Sequence, residues 1–300
     1  MSTSLQNILV PTDFSKEGHR AVRVAASLCS AHGATLHLLH ALDNRHLAET
    51  PEPDLALTLM QQEMEKEGIR QLESLYESLL LNDQLQVHIH MSSGDPSEEI
   101  TREAEELPAD LVVIGTHGIS GMKEFFLGTT SFHVIKNTTL PVLTIPPDFQ
   151  KTQFKKILFP VRPMQDVQSK YELIKPFLRE PGVHVHVAEL EVIGHPQPAD
   201  EAERVIDLLK DAGISCSASQ YPCSNFARKV IELSESLEVD LIAINATTDT
   251  KWTQFFSGPY AQQVVNHSLV PVLSFRTSGA DKMAGGRKKA SNGNPAVYIL

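Results

Sequence analysis

Three glycines and a hydroxyl run carry the clearest chemical signal in the 300-residue chain: Gly115, Gly118 and Gly128, followed at once by Thr129, Thr130 and Ser131. Glycines let a ligand approach the backbone closely and permit positive φ, while N–H groups at the start of a helix point outward toward negative charge. A phosphate is the guest that such a loop suits. The three hydroxyls add donors and can equally cap the helix that follows, and the two uses are compatible. A second candidate lies in PTDFS, Pro11 to Ser15, where the carboxylate of Asp13 directly follows an apolar run. Asp13 or Ser15 can also serve simply as a helix N-cap.

Each group must be held by a regular element. LVVI (Leu111 to Ile114) leads into the glycines and LQNILV leads into Asp13, and both read as strands. Ala21, Val24, Ala25, Leu28 and Cys29 have the spacing of one helix face. TLHLLHA, LQVHIHM and PVLTI supply further strands, with helices predicted over Asp54 to Leu80, Pro96 to Glu105 and about Thr130 to Asn137. Strand and helix alternate, which predicts parallel strands joined by right-handed crossovers. In such sheets ligands bind beyond the carboxyl ends of the strands, where the strand order reverses.

The pattern occurs twice. KILFPVRP (Lys156 to Pro163) echoes NILVPTDF, and the stretch Asp240 to Phe275 echoes Asp110 to Ile145 without a gap. The offset is 149 residues at the first match and 130 at the second, so the second copy is 19 residues shorter between them. The fold class expected is α/β, with two tandem Rossmann-like domains, each an open five-stranded parallel sheet flanked by helices. Their expected bounds are 1–148 and 153–277, with a flexible tail over 278–300. The tail is rich in Gly, Ala, Ser and basic residues, and its terminal AVYIL could add to a sheet edge.

Composition excludes several classes of function. A net charge of -11 argues against general nucleic-acid binding. No apolar run approaches the ~18 residues of a membrane span, and the N-terminus has no basic region followed by a long apolar one, so a cytoplasmic address is expected. Three cysteines do not form a disulfide framework. GTHGISG follows a fourth strand and is neither a Walker loop nor the dinucleotide fingerprint. The residues alone therefore indicate a phosphate-bearing ligand in copy one.

The combination Gly115-x2-Gly118-x9-Gly128-Thr129, with VPTDFS, GDP at Gly94 to Pro96 and a closing LPVLTI, resembles the universal stress protein (UspA) family, in its tandem two-domain form. The resemblance implies ATP as ligand, with Mg2+ a possible companion. It places Pro11, Thr12, Asp13 and Ala41 at the ribose and adenine, and Gly115, Gly118, Gly128, Thr129, Thr130 and Ser131 around the ribose and phosphates. It also implies that LPVLTI and VPVLSF pair within the chain. Copy two departs from the motif: Arg162 replaces Asp13, Asn245 replaces Gly115, Thr248 replaces Gly118 and Pro259 replaces Thr129, so it is expected to bind no ATP in this way.

Three functions follow in prospect: an ATP-binding regulatory protein, a slow ATPase, or a nucleotide-free interaction scaffold. No placed general base, Walker lysine or paired carboxylates favour catalysis, and Lys123 is the one cation of the loop. The expected partners are an adenine nucleotide, a regulatory protein and further copies of the chain. His88 and His90, like His184 and His186, share a strand face, but no Cys/His spacing completes a metal set, so they read as packed or surface histidines. His117 could approach a phosphate or stay exposed. EMEKEG and REAEEL read as solvated helix faces, and Met60, Met64, Leu72, Leu75 and Leu79 as core packing.

Overall fold

The computed structural model describes residues 4–45, 55–80, 85–116, 128–162, 167–192, 200–245, 260–275 and 296–298. The first half runs β1 (Asn7–Pro11), α1 (Lys16–His32), β2 (Thr35–Asp43), α2 (Leu55–Leu79), β3 (Gln86–Gly94), α3 (Pro96–Glu106), β4 (Leu111–Gly115), α4 (Thr129–Asn137) and β5 (Val142–Ile145). The second runs β6 (Lys156–Val161), α5 (Val167–Ile174) with a 3-10 turn (Lys175–Arg179), β7 (His184–Val192), α6 (Asp200–Asp211), β8 (Ser215–Cys223), α7 (Phe226–Ser236), β9 (Leu241–Asn245), α8 (Tyr260–His267) and β10 (Val272–Phe275). A last strand, β11 (Ala296–Tyr298), follows.

All of them join one sheet of order β11-β3-β2-β1-β4-β5-β10-β9-β6-β7-β8. Each half has five parallel strands in the same winding order, with the reversal between β1 and β4 in one and β6 and β9 in the other. The halves meet through β5 and β10, which pair antiparallel with Leu143 opposite Leu273. This is the pairing that LPVLTI and VPVLSF led us to expect. Hydroxyls reinforce it, since Thr144 Oγ1 donates to the Val272 carbonyl at 3.2 Å and Ser274 Oγ to the Val142 carbonyl at 3.3 Å.

Period-2 alternation in the strands splits the apolar residues between two faces. On one face Ile8, Leu36, Val113 and Leu143 of the first half share a continuous cluster with Ile157, Phe159, Val185 and Leu273 of the second. On the other face the halves keep separate clusters, Leu9, Leu39, Ile100 and Val112 in one and Leu158, Val230, Ile242 and Val264 in the other. The connecting segment is anchored too, because Phe149 stacks on Phe154 at 6.2 Å and Phe154 meets Phe177 edge-on at 5.8 Å. Each such side chain, when fully buried, contributes about 1.5–3 kcal/mol.

Repeat-equivalent aspartates perform equivalent tasks. Asp110 Oδ2 accepts from the Gln6 and Asn7 N–H groups at 2.6 and 3.0 Å, and Asp240 Oδ2 from those of Lys155 and Lys156 at 3.0 and 2.9 Å. Each carboxylate thus clamps the entry of its half's first strand. Of the tail, only the backbone of Ala296–Tyr298 falls within the described residues, and it pairs antiparallel with β3, Val297 opposite His90. This is the edge addition expected of AVYIL.

Two helix readings need correction. Leu72 and Leu75 are buried, but Met60 and Met64 are 57% and 38% exposed, and both methionines line a cleft. Within REAEEL, Glu103 is buried at 4% exposure and takes a hydrogen bond from Arg102 at 2.7 Å. Burial pushes its carboxyl above the usual range, against the pull of Arg102.

Candidate functional site

A cleft of about 870 Å3 opens in the first half, lined by the ends of β1 and β4 at the reversal of strand order and by residues of β2, α2 and α4. Pro11, Thr12, Asp13, Ala41, Gly115, Gly128, Thr129, Thr130 and Ser131 all line it. Gly118, His117 and Lys123 lie outside the described residues.

The turn that presents Asp13 is built from short-range bonds. Asp13 Oδ1 accepts from the Ser15 N–H at 3.0 Å and from Ser15 Oγ at 2.5 Å, while Ser15 Oγ accepts from the Gly18 N–H at 3.0 Å as the N-cap of α1. Of the two N-cap candidates, Ser15 is the cap, and Asp13 holds Ser15 in place. Gly18 makes room for it, because a Cβ there would come 3.0 Å from Asp13 Oδ1 and 3.1 Å from Thr12 Oγ1.

Between them, Phe14 adopts φ 60°, a left-handed conformation that costs an L-residue energy and recurs at functional sites. Its ring lies 4.6 Å from that of His40. His40 donates from Nδ1 to the Thr12 carbonyl at 2.8 Å, which fixes the tautomer and ties β2 to the turn. Burial holds its pKa below the ordinary value despite the opposing pull of the Thr12 carbonyl and Asp13.

On the opposite wall, α4 begins at Gly128, whose φ is -55°. Its glycine is required for close approach rather than for positive φ: the Gly128 N–H donates to the Thr116 carbonyl at 2.7 Å, and a Cβ would lie 3.3 Å from that same oxygen. Gly128, the N-cap, offers α4 no side-chain cap, the first N–H groups of a helix have no intrahelical partner, and Gly128 to Ser131 all line the cleft. Ser131 does not cap it either. Its hydroxyl is buried and donates to the Gly115 carbonyl at 2.7 Å, locking the helix onto the end of β4. Thr129, by contrast, is exposed at the mouth.

Sequence reasoning missed the α2 wall. Met60, Met64, Glu63, Glu67, Gly68 and Gln71 all line the cleft, and Gly68 is needed there because a Cβ would lie 3.0 Å from both His40 and Met91. The signal was available as helix-spaced methionines continuing beyond the core positions. Carboxylates Asp13, Asp43, Glu63 and Glu67 line the cleft, and no Lys or Arg does so among the described residues. Asp43 is paired with Arg45 at 2.5 Å.

In the equivalent region of the second half, the described side chains pack on one another. Arg162, at the position of Asp13, is buried, and its guanidinium lies 4.0 Å from the Tyr260 ring centroid and 5.7 Å from that of Phe226. Tyr260 and Phe226 stand where the first half has Thr130 and Pro96. Lys170 is buried nearby, donating to the Pro160 carbonyl and lying 4.1 Å from the Phe159 ring. Thr248 and Pro259 lie outside the described residues.

The histidine pair of β3 is also resolved. His90 is buried, with Nε2 3.0 Å from His37 Nδ1, and His37 Nε2 lies 3.2 Å from Asn7 Oδ1. Burial pushes both imidazoles down to about 4, helped by the neighbouring histidines.

Residues 4–146 match the sequence profile of the universal stress protein family. Universal stress protein YxiE of Bacillus subtilis is 31% identical over 146 residues, covering 46% of this chain and 97% of the relative. A universal stress protein of Methanocaldococcus jannaschii is 28% identical over 143 residues, covering 47% and 81%. Among solved structures, a universal stress protein from Archaeoglobus fulgidus superposes with TM-score 0.68 at 14% identity, over 93% of this chain and all of that one. A functionally unknown protein from Pseudomonas aeruginosa gives 0.57 at 15% identity, over 91% and 93%. These two share the fold across both halves, and the relatives share sequence over one family-sized unit: the chain belongs to the universal stress protein family.

Proposed function

We propose that the chain is an ATP-binding regulatory protein of the stress response, with one nucleotide site per chain, in the first-half cleft. The observation that carries this reading is the convergence, in a cleft of about 870 Å3, of Asp13 with the uncapped start of α4 at Gly128 and Thr129. The volume is within the range of small-molecule sites, ~300–1,000 Å3. Asp13 would accept from ribose hydroxyls and the backbone of Pro11, Thr12 and Ala41 would border the base. Gly115, Gly128, Thr129 and Thr130 would surround the phosphates, with Gly118 completing that loop, while Ser131 holds α4 in place. With no described Lys or Arg lining the cleft, phosphate charge is met by N–H dipoles and by the Mg2+ that accompanies ATP in solution.

In the second half Arg162 and its aromatic partners occupy the corresponding space, which supports a structural role for residues 153–277. A cytoplasmic location is part of the same proposal; among the described residues no helix is long and apolar enough to cross a membrane. Titration of nucleotide-stripped protein with ATP and Mg2+, followed by a phosphate-release assay, tests the reading. One site with negligible release is expected; no binding would leave the nucleotide-free scaffold.

A further inference from the structure

Before the C-terminal strand is added, the sheet has two outer strands, β3 and β8, and they are counterparts. β3 lies on β2 with Gln86 opposite Thr35, β8 lies on β7 with Ser215 opposite His184, and each is nine residues long. The outer side of β3 takes β11. On the outer side of β8 no strand pairs among the described residues, and the one C-terminal strand of the chain is used at the opposite end of the sheet.

β8 lacks the usual protection of an edge. Natural edge strands carry charges, prolines or bulges that discourage pairing, whereas SCSASQYPC has no charged residue and its single proline, Pro222, stands next to the end. Ser215, Ser217, Ala218, Ser219 and Gln220 are exposed. Hydroxyls are held inward, with Ser215 and Ser217 2.8 and 2.9 Å from the His184 ring nitrogens and Tyr221 3.0 Å from His186 Nε2.

We propose that the β8 edge is a self-association surface whose occupant is a second copy of this chain, pairing β8 to β8 antiparallel about a two-fold axis over residues 215–221. Two observations select a second copy over an unrelated peptide. The chain already joins its own halves by antiparallel pairing of equivalent strands, β5 with β10. In addition, β8 offers small uncharged side chains rather than pockets or charge for a foreign sequence, so recognition rests on backbone pairing, and two-fold pairing closes the remaining edge of both copies at once. This inference rests on the sheet and is independent of the ATP reading.

Sedimentation velocity of the full-length chain, over roughly a hundredfold range in the micromolar region where homodimers commonly form, tests it. The expected mass is twice 33.1 kDa. The double variant Ala218→Lys/Ser219→Lys sets a cation on each face of the edge and should sediment as a monomer; both side chains are exposed, so its thermal unfolding should match wild type at concentrations low enough for the wild type to be monomeric, and lose the rise of Tm with concentration that association gives the wild type. Val297→Pro, which interferes with β11, should leave the dimer intact. A monomer at every concentration, a dimer that survives the double lysine variant, or a dimer lost only in Val297→Pro would each overturn the proposal.

Discussion

The guanidinium of Arg162 lies 4.0 Å from the centroid of the Tyr260 ring, and these two residues occupy the positions held in the first half by Asp13 and Thr130. One repeat thus uses these positions to leave a cleft and the other to fill it. Buried cation–π contacts contribute about 1–2 kcal/mol. Arg162→Ala should therefore lower stability by about that amount in urea unfolding, while ATP affinity at the first half is unchanged. A loss of ATP affinity with unaltered stability would contradict the division of roles.

Asp13 holds the Ser15 cap as well as facing the cleft, so its removal has two separable effects. Asp13→Ala should weaken ATP binding at least tenfold and also cost about 1 kcal/mol of stability through the loosened N-cap. Asp13→Asn keeps an oxygen acceptor for Ser15; it should restore the stability but recover ATP affinity only in part. Calorimetric titration and thermal melts on both variants measure the two effects independently.

Gly128→Ala would place a Cβ 3.3 Å from the Thr116 carbonyl oxygen. The start of α4 must then shift by a few tenths of an ångström. We expect ATP affinity to fall several-fold with a stability change under about 1 kcal/mol, since neither positive φ nor core packing is involved. Equal affinities in the two proteins would remove α4's first turn from the site.

The acid sensitivity of the fold should reside in His37 and His90. Both have folded values near 4 against an ordinary value of 6.5, so below pH 6.5 the unfolded chain binds protons that the native state does not. Their stabilising effect is present above 6.5 and is lost as pH falls from there through 4, by about 3 kcal/mol for each histidine at most. Urea melts at pH 7 and pH 5 should show the decline, and His90→Gln should flatten it. A wild-type profile flat across that window would contradict the buried, neutral pair.

Much of this was legible beforehand because it depends on local pattern. The Asp110 and Asp240 repeats, the strand alternation and the glycine spacing are all present in the sequence, and they lead to the tandem sheets and to two walls of the cleft, the Asp13 turn and the run from Gly128 to Ser131. What escaped depended on tertiary placement. Met60 and Met64 continue the stripe of Leu72 and Leu75, and nothing in the period tells where along α2 the burial ends. Ser131 reads as one more hydroxyl donor until the Gly115 carbonyl lies beside it. Gly128 reads in sequence as allowing close approach of a ligand or a positive φ, while its close approach to the Thr116 carbonyl is seen only in the fold.

The central claim is a single ATP site in the first half, filled off in the second. Calorimetric titration of nucleotide-stripped full-length protein with ATP and Mg2+ tests it most directly. The account predicts one binding event per chain, weakened at least tenfold by Asp13→Ala and unaffected by Arg162→Ala. Two events per chain, or one that keeps its full affinity in Asp13→Ala and disappears in Arg162→Ala, would contradict it.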